Sequence, residues 1–288
     1  LVTIYGGSGF VGRYVARRMA KAGWRVRVAV RNPNEAMFVR PYGVVGQVEP
    51  ILCNVRNDAS VRAAMHGADA VVNCVGILVE NGKNRFDAVQ AEAPMRIARM
   101  AAENGVARMV HISSIGADMD SESDYARTKG EGEAGVLEYM PNAVILVYVD
   151  DVAKAAEMAV TGEAKSGVYE LGGPDVETFR ELMQRMLDVI HRRRLILNMP
   201  NFIARLTAFG FDMIQSVTFG LFSNTMLTRD QLKNLKNDNV VADGAKGFDT
   251  LGIEPVSMTS VLPDYLWRFR PSGQYDAIKD SARNLRRN

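Results

Sequence analysis

Apolar and polar positions along this chain switch repeatedly between a period of two and a period of about 3.6, the signatures of strand and helix. Val2, Ile4 and Tyr5 open an apolar run that meets Gly6, Gly7 and Gly9, and Gly12 follows with a helical pattern behind it, over about 11–22. Trp24–Val30 then alternates as WRVRVAV and stops at Arg31-Asn32-Pro33, a second strand. PILCNV (50–55) predicts a third, followed by a helix from about Ala59 to His66. ADAVVNCVGI (68–77) predicts a fourth, nearly all apolar, as a strand covered on both faces should be. A long helix is expected from about Phe86 to Asn104, stopped by Gly105, and ARMVHIS (107–113) is the fifth strand. Strand and helix in alternation predict an α/β fold with a doubly wound, parallel sheet.

The second half starts in the same way. PNAVILV (141–147) reads as the sixth strand and runs straight into YVDDVAKA (148–155), a helix entry whose Asp150 and Asp151 read as caps in preference to a catalytic acid/base pair. SGVYELGGPD (166–175) is a further strand and turn. Thr178 with Glu181 forms a capping box for the next helix, which closes at His191-Arg192-Arg193-Arg194 as helix-end cations. From 195 the character changes. LILNMPNFIARLTAFGFDMIQSVTFGLFSNTMLT carries only Arg205 and Asp212 as charges and is too broken to span a bilayer. It predicts a helical lobe, either with its own core or packed on a partner or membrane face. TRDQLKNLKNDNVV reads as a polar helix and loop, and 264–288, Arg-rich with Trp267, Phe269 and Tyr275, as a tail extended over another surface. The expected division is 1–194, 195–263 and 264–288.

Composition narrows the class without naming it. The 288 residues are 47% hydrophobic and 24% charged, and a net charge of +2 is too mild to imply nucleic acid. Cys53 and Cys74 fall in apolar, strand-like runs and read as core thiols of a reducing compartment. His66, His111 and His191 have no metal-ligand spacing. No signal peptide, transit peptide or transmembrane run is visible, but the chain opens inside a strand without Met, so residues are expected before Leu1 and targeting stays open.

The candidate chemistry starts at the first turn. Gly6 permits the turn, Gly9 lets backbone N–H groups approach a pyrophosphate, and Gly12 lets the helix pack on the strand. Gly7, Ser8, Phe10, Val11 and Arg13 complete this loop. In such folds the end of the second strand meets the adenosine ribose, and an acid there would repel a 2′-phosphate. This chain has Arg31 instead, with Arg13 near, so NADP(H) is preferred over NAD(H). Plain solvent-exposed charges are the alternative for both. The fourth strand's end, Asn73 to Gly76, is expected beside the pyrophosphate and nicotinamide ribose. Tyr125 and Lys129, four apart, share one helix face, where the ammonium lowers the phenol's pKa, and Ser114 or Ser113 can polarise a carbonyl.

Together GGSGFVGR, HISS and YARTK resemble the extended and atypical short-chain dehydrogenase/reductase superfamily over about 1–175. That resemblance implies a seven-stranded Rossmann sheet with the cofactor across its C-terminal edge, held by Gly6 to Arg13, Arg31, Asn54, Val55, Cys74, Val75, Gly76, Ile112, Tyr125 and Lys129. It implies Ser114, Tyr125 and Lys129 as the catalytic set, active or vestigial. Asn54 departs from the Asp usual near the adenine. At Val147–Tyr148 relatives carry a loop of some tens of residues, so this junction reads as a place where further residues belong. LTRDQLKNLKNDNVV, LGIEPVSM and GFVGRYVA beside an Arg-ending strand resemble, more closely, the NADPH-binding accessory subunit family of respiratory complex I (alpha subcomplex subunit nine) and its bacterial homologues. This implies NADPH held without established turnover and complex I partners at the quinone-site end of the hydrophilic arm. It implies a peripheral place on the matrix face of the mitochondrial inner membrane, or the cytoplasmic face of a bacterial one, with membrane-surface contact. The competing expectation is a free NADPH-dependent reductase or dehydratase.

Overall fold

The computed structural model describes residues 1–147, 151–217, 227–271 and 273–275. The junction at Val147–Tyr148, Asp150, the apolar residues 218–226 and the tail from 276 on lie outside the described residues.

Seven parallel strands, β1 (Val2–Tyr5), β2 (Val26–Val30), β3 (Val48–Leu52), β4 (Ala70–Asn73), β5 (Arg108–Ser113), β6 (Val144–Val147) and β7 (Gly167–Glu170), form one sheet in the order β3-β2-β1-β4-β5-β6-β7. The order reverses at β1, which pairs with β2 on one side and β4 on the other, Tyr5 lying opposite Ala29 and Asn73. This is the doubly wound sheet expected from the alternation, and such a reversal opens a crevice at the strands' C-terminal ends.

The two faces take alternate residues, as a period of two requires. Val2, Ile4, Val26, Val28, Ala70, Val72 and Val110 pack with α1 (Phe10–Lys21). Tyr5, Ala29, Val71 and Met109 pack with α2 (Asp58–Met65), α3 (Glu92–Glu103) and α4 (Asp124–Tyr139). α5 (Val152–Thr161) covers the first face beside α1. Arg27 sits inside β2 without strain because Nη1 donates to the carbonyls of Ala64 and His66 at 2.8 and 2.9 Å. A cation is thereby placed at the C-terminal end of α2, where the Ala64 carbonyl also accepts the Thr3 hydroxyl at 3.0 Å.

Several boundaries differ from the expectation, for physical reasons. β4 stops at Asn73, and Cys74–Gly76 leave the sheet at its edge, so Cys53 and Cys74 each stand one residue past a strand. The helix expected from Phe86 begins with a wide turn, Asp87–Ala91, before α3. Asp151 holds the N-cap position of α5 in helical backbone, and its side chain makes no capping hydrogen bond.

The chain divides into two compact units: 1–172 with 202–253, and 173–201 with 254–288. In the first, α7 (Asn201–Val217), the short α8 (Arg229–Asn234) and α9 (Phe248–Leu251) follow the sheet, and Phe248, Leu251 and Ile253 join the α1–α5 core. In the second, α6 (Phe179–Val189) has the expected Thr178/Glu181 capping box. α10 (Met258–Leu266) occupies the start of the stretch expected to be extended, and its preceding Ser257 hydroxyl donates to Asp175 at 2.9 Å.

Candidate functional site

The turn after β1 is shaped by what a side chain would strike. Gly6 has φ +73° and lies against the Cys74 carbonyl, 3.1 Å from where a Cβ would stand. At Gly12 a Cβ would fall on the Gly6 carbonyl oxygen and come within 2.7 Å of the Gly7 Cα. The first hydrogen bond of α1 runs from the Arg13 N–H to the Gly9 carbonyl at 3.1 Å. The N–H groups of Phe10, Val11 and Gly12 therefore have no backbone acceptor among the described residues, and the first turn carries no acid. Three free donors, a helix dipole and a cradle open to close approach fit a dinucleotide pyrophosphate.

Around this turn the structure places the other expected residues at the same sheet edge or its flanks. Arg13 donates from Nε to the Gly9 carbonyl at 3.1 Å, and its guanidinium lies 5.4 Å from the exposed Phe38 ring. Arg31, just past β2, is exposed and makes no hydrogen bond or ion pair with a described residue. Asn54 is committed to its own turn: its N–H donates to Ser60 Oγ at 2.9 Å, and its Oδ1 accepts the Arg56 N–H at 3.1 Å. Val11, Cys74 and Ile112 pack half-buried on one core and Val55 and Val75 on the other. Ser8 is half-buried beside the turn and Phe10 is exposed.

Tyr125 and Lys129 lie one turn apart on α4. Tyr125 meets Phe86 edge-on with ring centroids 5.8 Å apart. Burial pushes its phenol up and the neighbouring Ser114 hydroxyl pulls it down, with no contribution from Lys129. The expected lowering by the ammonium is thus not what the structure contains. Lys129 instead lies against Gly76, its Nζ 3.4 Å from the position of a Cβ there. It is buried, and desolvation lowers its pKa to about 8, with Glu133 and Cys74 opposing. Burial raises Cys74 to about 12, and Lys129 pulls the other way. The Oγ atoms of Ser113 and Ser114 are buried and make no well-aligned hydrogen bond among the described residues, Glu133 and Tyr125 being the groups that approach them.

Sequence reasoning passed over His111, Glu133, Phe38 and Asp230. Asn73 and His111 form a buried polar pair at 3.0 Å. Glu133 continues the 125/129 spacing; burial raises its pKa, while Ser113 and Lys129 lower it. The spacing alone makes Glu133 findable. Phe38 and Asp230 reach the site's surroundings from elsewhere in the chain, and no local pattern marks them.

A seven-stranded parallel sheet with a glycine turn at its reversal and a Tyr/Lys pair on the helix after β5 defines a nicotinamide-dinucleotide fold of the short-chain-reductase type. The chain belongs to the NAD(P)H-binding family, which it matches over residues 6–158. It is homologous to the mitochondrial "NADH dehydrogenase [ubiquinone] 1 alpha subcomplex subunit 9" of Arabidopsis thaliana, 29% identical, with 95% of this chain and 79% of that protein covered. The mitochondrial "NADH-ubiquinone oxidoreductase 40 kDa subunit" of Neurospora crassa is 26% identical over 95% of this chain and 80% of its own length. Among solved structures, the "NADPH-dependent quinone oxidoreductase QOR2" of Escherichia coli, complexed with NADPH, superposes with a TM-score of 0.66 at 15% identity. That likeness covers 92% of this chain and 99% of the other, and it is one of fold. No described helix is long and apolar enough to cross a membrane, and no described cluster of His, Cys, Asp and Glu suits a metal.

Proposed function

We propose that this chain is an accessory subunit of respiratory complex I that holds NADPH as a tightly bound structural element near the junction of the hydrophilic and membrane arms. The observation that carries the reading is the reach of the homology. It covers 95% of the chain, hence the helical C-terminal part as well as the nucleotide fold, and the relatives carry complex I subunit names. A nucleotide bound to the folded state alone stabilises that state by mass action, which suits a structural role.

The preference for NADPH rests on Arg13 and Arg31, whose charges favour a 2′-phosphate, and on the absence of an acid at the end of β2. Gly6 to Arg13 would hold the pyrophosphate, with Asn54 and Val55 on the adenosine side and Cys74, Val75, Gly76, Ile112, Tyr125 and Lys129 toward the nicotinamide ribose. The partners are other complex I subunits at the quinone-site end of the arm. The chain lies peripherally on the matrix face of the mitochondrial inner membrane, or on the cytoplasmic face in a bacterium.

A second reading, a free NADPH-dependent reductase, has its own support in the buried Ser114 hydroxyl next to the Tyr125 phenol, which burial keeps neutral. Bound NADPH would supply a hydride. Ser114 would then donate a hydrogen bond to a substrate carbonyl, and Tyr125 Oη would deliver the proton. Native-gel separation of detergent-solubilised membranes carrying the tagged chain tests the two. Co-migration with NADH:ubiquinone reductase activity is expected for the subunit, and a small soluble species with turnover would overturn it.

A further inference from the structure

The helix that carries Tyr125 and Lys129 is held at its start by a residue more than a hundred positions away. Asp124 and Tyr125 are the first residues of α4, and their N–H groups have no acceptor within the helix. Asp230 Oδ1 accepts the Asp124 N–H at 2.6 Å, and Oδ2 accepts the Tyr125 N–H at 3.1 Å and the Ser123 hydroxyl at 3.0 Å. Ser123, the local cap, accepts the Ala126 N–H only at 3.4 Å. The carboxylate therefore does most of the capping, with both oxygens engaged and its charge at the positive end of the helix.

Asp230 is itself tied down. It lies in the first turn of α8, which has a capping box between Thr228 and Gln231. Its neighbour Arg229 donates to Asp212 of α7 at 2.9 Å, and Lys233 Nζ donates to the Glu122 carbonyl at 2.9 Å, next to the helix start. On the other flank, the Asp118 N–H donates to the Ala126 carbonyl at 3.2 Å. The first turn of α4 is thus clamped between the loop leaving Ser114 and a segment from the C-terminal half.

We propose that Asp230 is a positioning residue of the nucleotide site: by binding the backbone N–H of Tyr125 itself, it fixes where the Tyr125 ring and, one turn on, the Lys129 ammonium stand. The proposal rests on the nucleotide reading above and extends it to a residue outside the matched family region. It also gives the C-terminal half a part in the site beyond any surface it presents. A two-oxygen acceptor resists rotation as well as translation of the helix end, which a single hydroxyl cap does not.

The test uses the full chain labelled with 3-fluorotyrosine, the Tyr125 resonance being assigned from Tyr125→Phe, together with fluorescence titration by NADPH. Asp230→Ala is expected to weaken NADPH about tenfold, the loss of one well-made hydrogen bond at the displaced pair, and to move the Tyr125 fluorine resonance. Asp230→Asn keeps one acceptor oxygen and should recover part of both effects. It also serves if the alanine variant does not fold. A purely structural cap would lower the melting temperature with the NADPH affinity and the Tyr125 resonance unchanged, and that result overturns the proposal. If the unsubstituted chain binds no NADPH, the nucleotide reading fails. The fluorine resonance then decides for Asp230 alone: shifted in Asp230→Ala it supports the positioning role, unshifted it overturns it.

Discussion

Asn73 and His111 face each other across β4 and β5, Asn73 Nδ2 lying 3.0 Å from His111 Nδ1. The Val75 N–H can only donate, and it points at Asn73 Oδ1 from 3.1 Å, so the amide NH2 is turned to the imidazole. His111 is therefore neutral with its proton on Nε2. Burial holds its pKa down at about 3, and the charge of Lys129 acts in the same direction.

The unfolded chain takes up a proton on this histidine near pH 6.5, while the folded chain waits until about pH 3. Unfolded chains then bind more protons between those values, so the stability tied to His111 is complete above pH 6.5 and declines as pH falls toward 3. His111→Gln should flatten that decline. Urea unfolding at pH 7 and pH 5 is the measurement, and an unchanged difference between the two pH values would argue against a buried neutral imidazole.

Gly12→Ala tests the cradle. The new methyl would fall on the Gly6 carbonyl oxygen, a backbone atom with no room to yield, so the turn and α1 must separate. We expect a stability loss of about 1–3 kcal/mol, typical of overpacking, and loss of nucleotide binding by calorimetry. Retained affinity would mean that the turn can relax without opening.

Much of this was legible in the sequence because the central strands β1 and β4 are buried on both faces and read as short apolar runs, while α1 and α3 bury one face and keep the helical period. Strand ends were less legible. Cys74 and Val75 are as apolar as β4 itself, yet they leave the ladder because the sheet edge at β1 needs Gly6 to close against them. Apolar character marks burial, and burial continues past the last paired residue. The Tyr125/Lys129 spacing was readable, but its electrostatics were not. Which neighbour reaches a phenol depends on rotamers, and Lys129 turned to Gly76. Asp230 shows a further limit, since a cap recruited from 106 residues away leaves no local trace at the helix it serves.

Arg31→Asp examines cofactor choice. The substitution places a negative charge where a free guanidinium now stands at the end of β2. NADPH affinity should fall at least about tenfold, since an attractive charge-assisted contact becomes repulsive, and NADH should compete better. Unchanged NADPH content in the purified variant would remove Arg31 from the site.

Tyr125→Phe separates the two functional readings. One hydroxyl contributes about 0.5–1.5 kcal/mol to stability, so folding and nucleotide content should be nearly intact. For a structural subunit, quinone reduction by the assembled complex also survives. Loss of that activity with assembly intact would argue for chemistry at Tyr125 Oη.

The apolar face of α7 bears on docking. Its inward residues are small, Ala204 and Ala208 being buried, whereas Phe202, Leu206, Phe209 and Met213 are 72%, 71%, 51% and 53% exposed. Their spacing of four, three and four puts these side chains on one stripe of the helix. A chain optimised only for its own core would turn the large residues in and the alanines out. Each such side chain stands to gain about 1.5–3 kcal/mol on full burial, an amount large enough for a partner subunit to exploit and for water to oppose. Phe202→Glu combined with Leu206→Glu should therefore leave a folded chain with normal NADPH affinity that no longer enters the complex, because two desolvated carboxylates at an apolar contact cost more than the contact returns. Quantifying the tagged double variant in the native-gel band of the intact complex decides the matter. Normal incorporation would show that α7 is not the docking face, and loss of nucleotide binding would show that the stripe serves the fold.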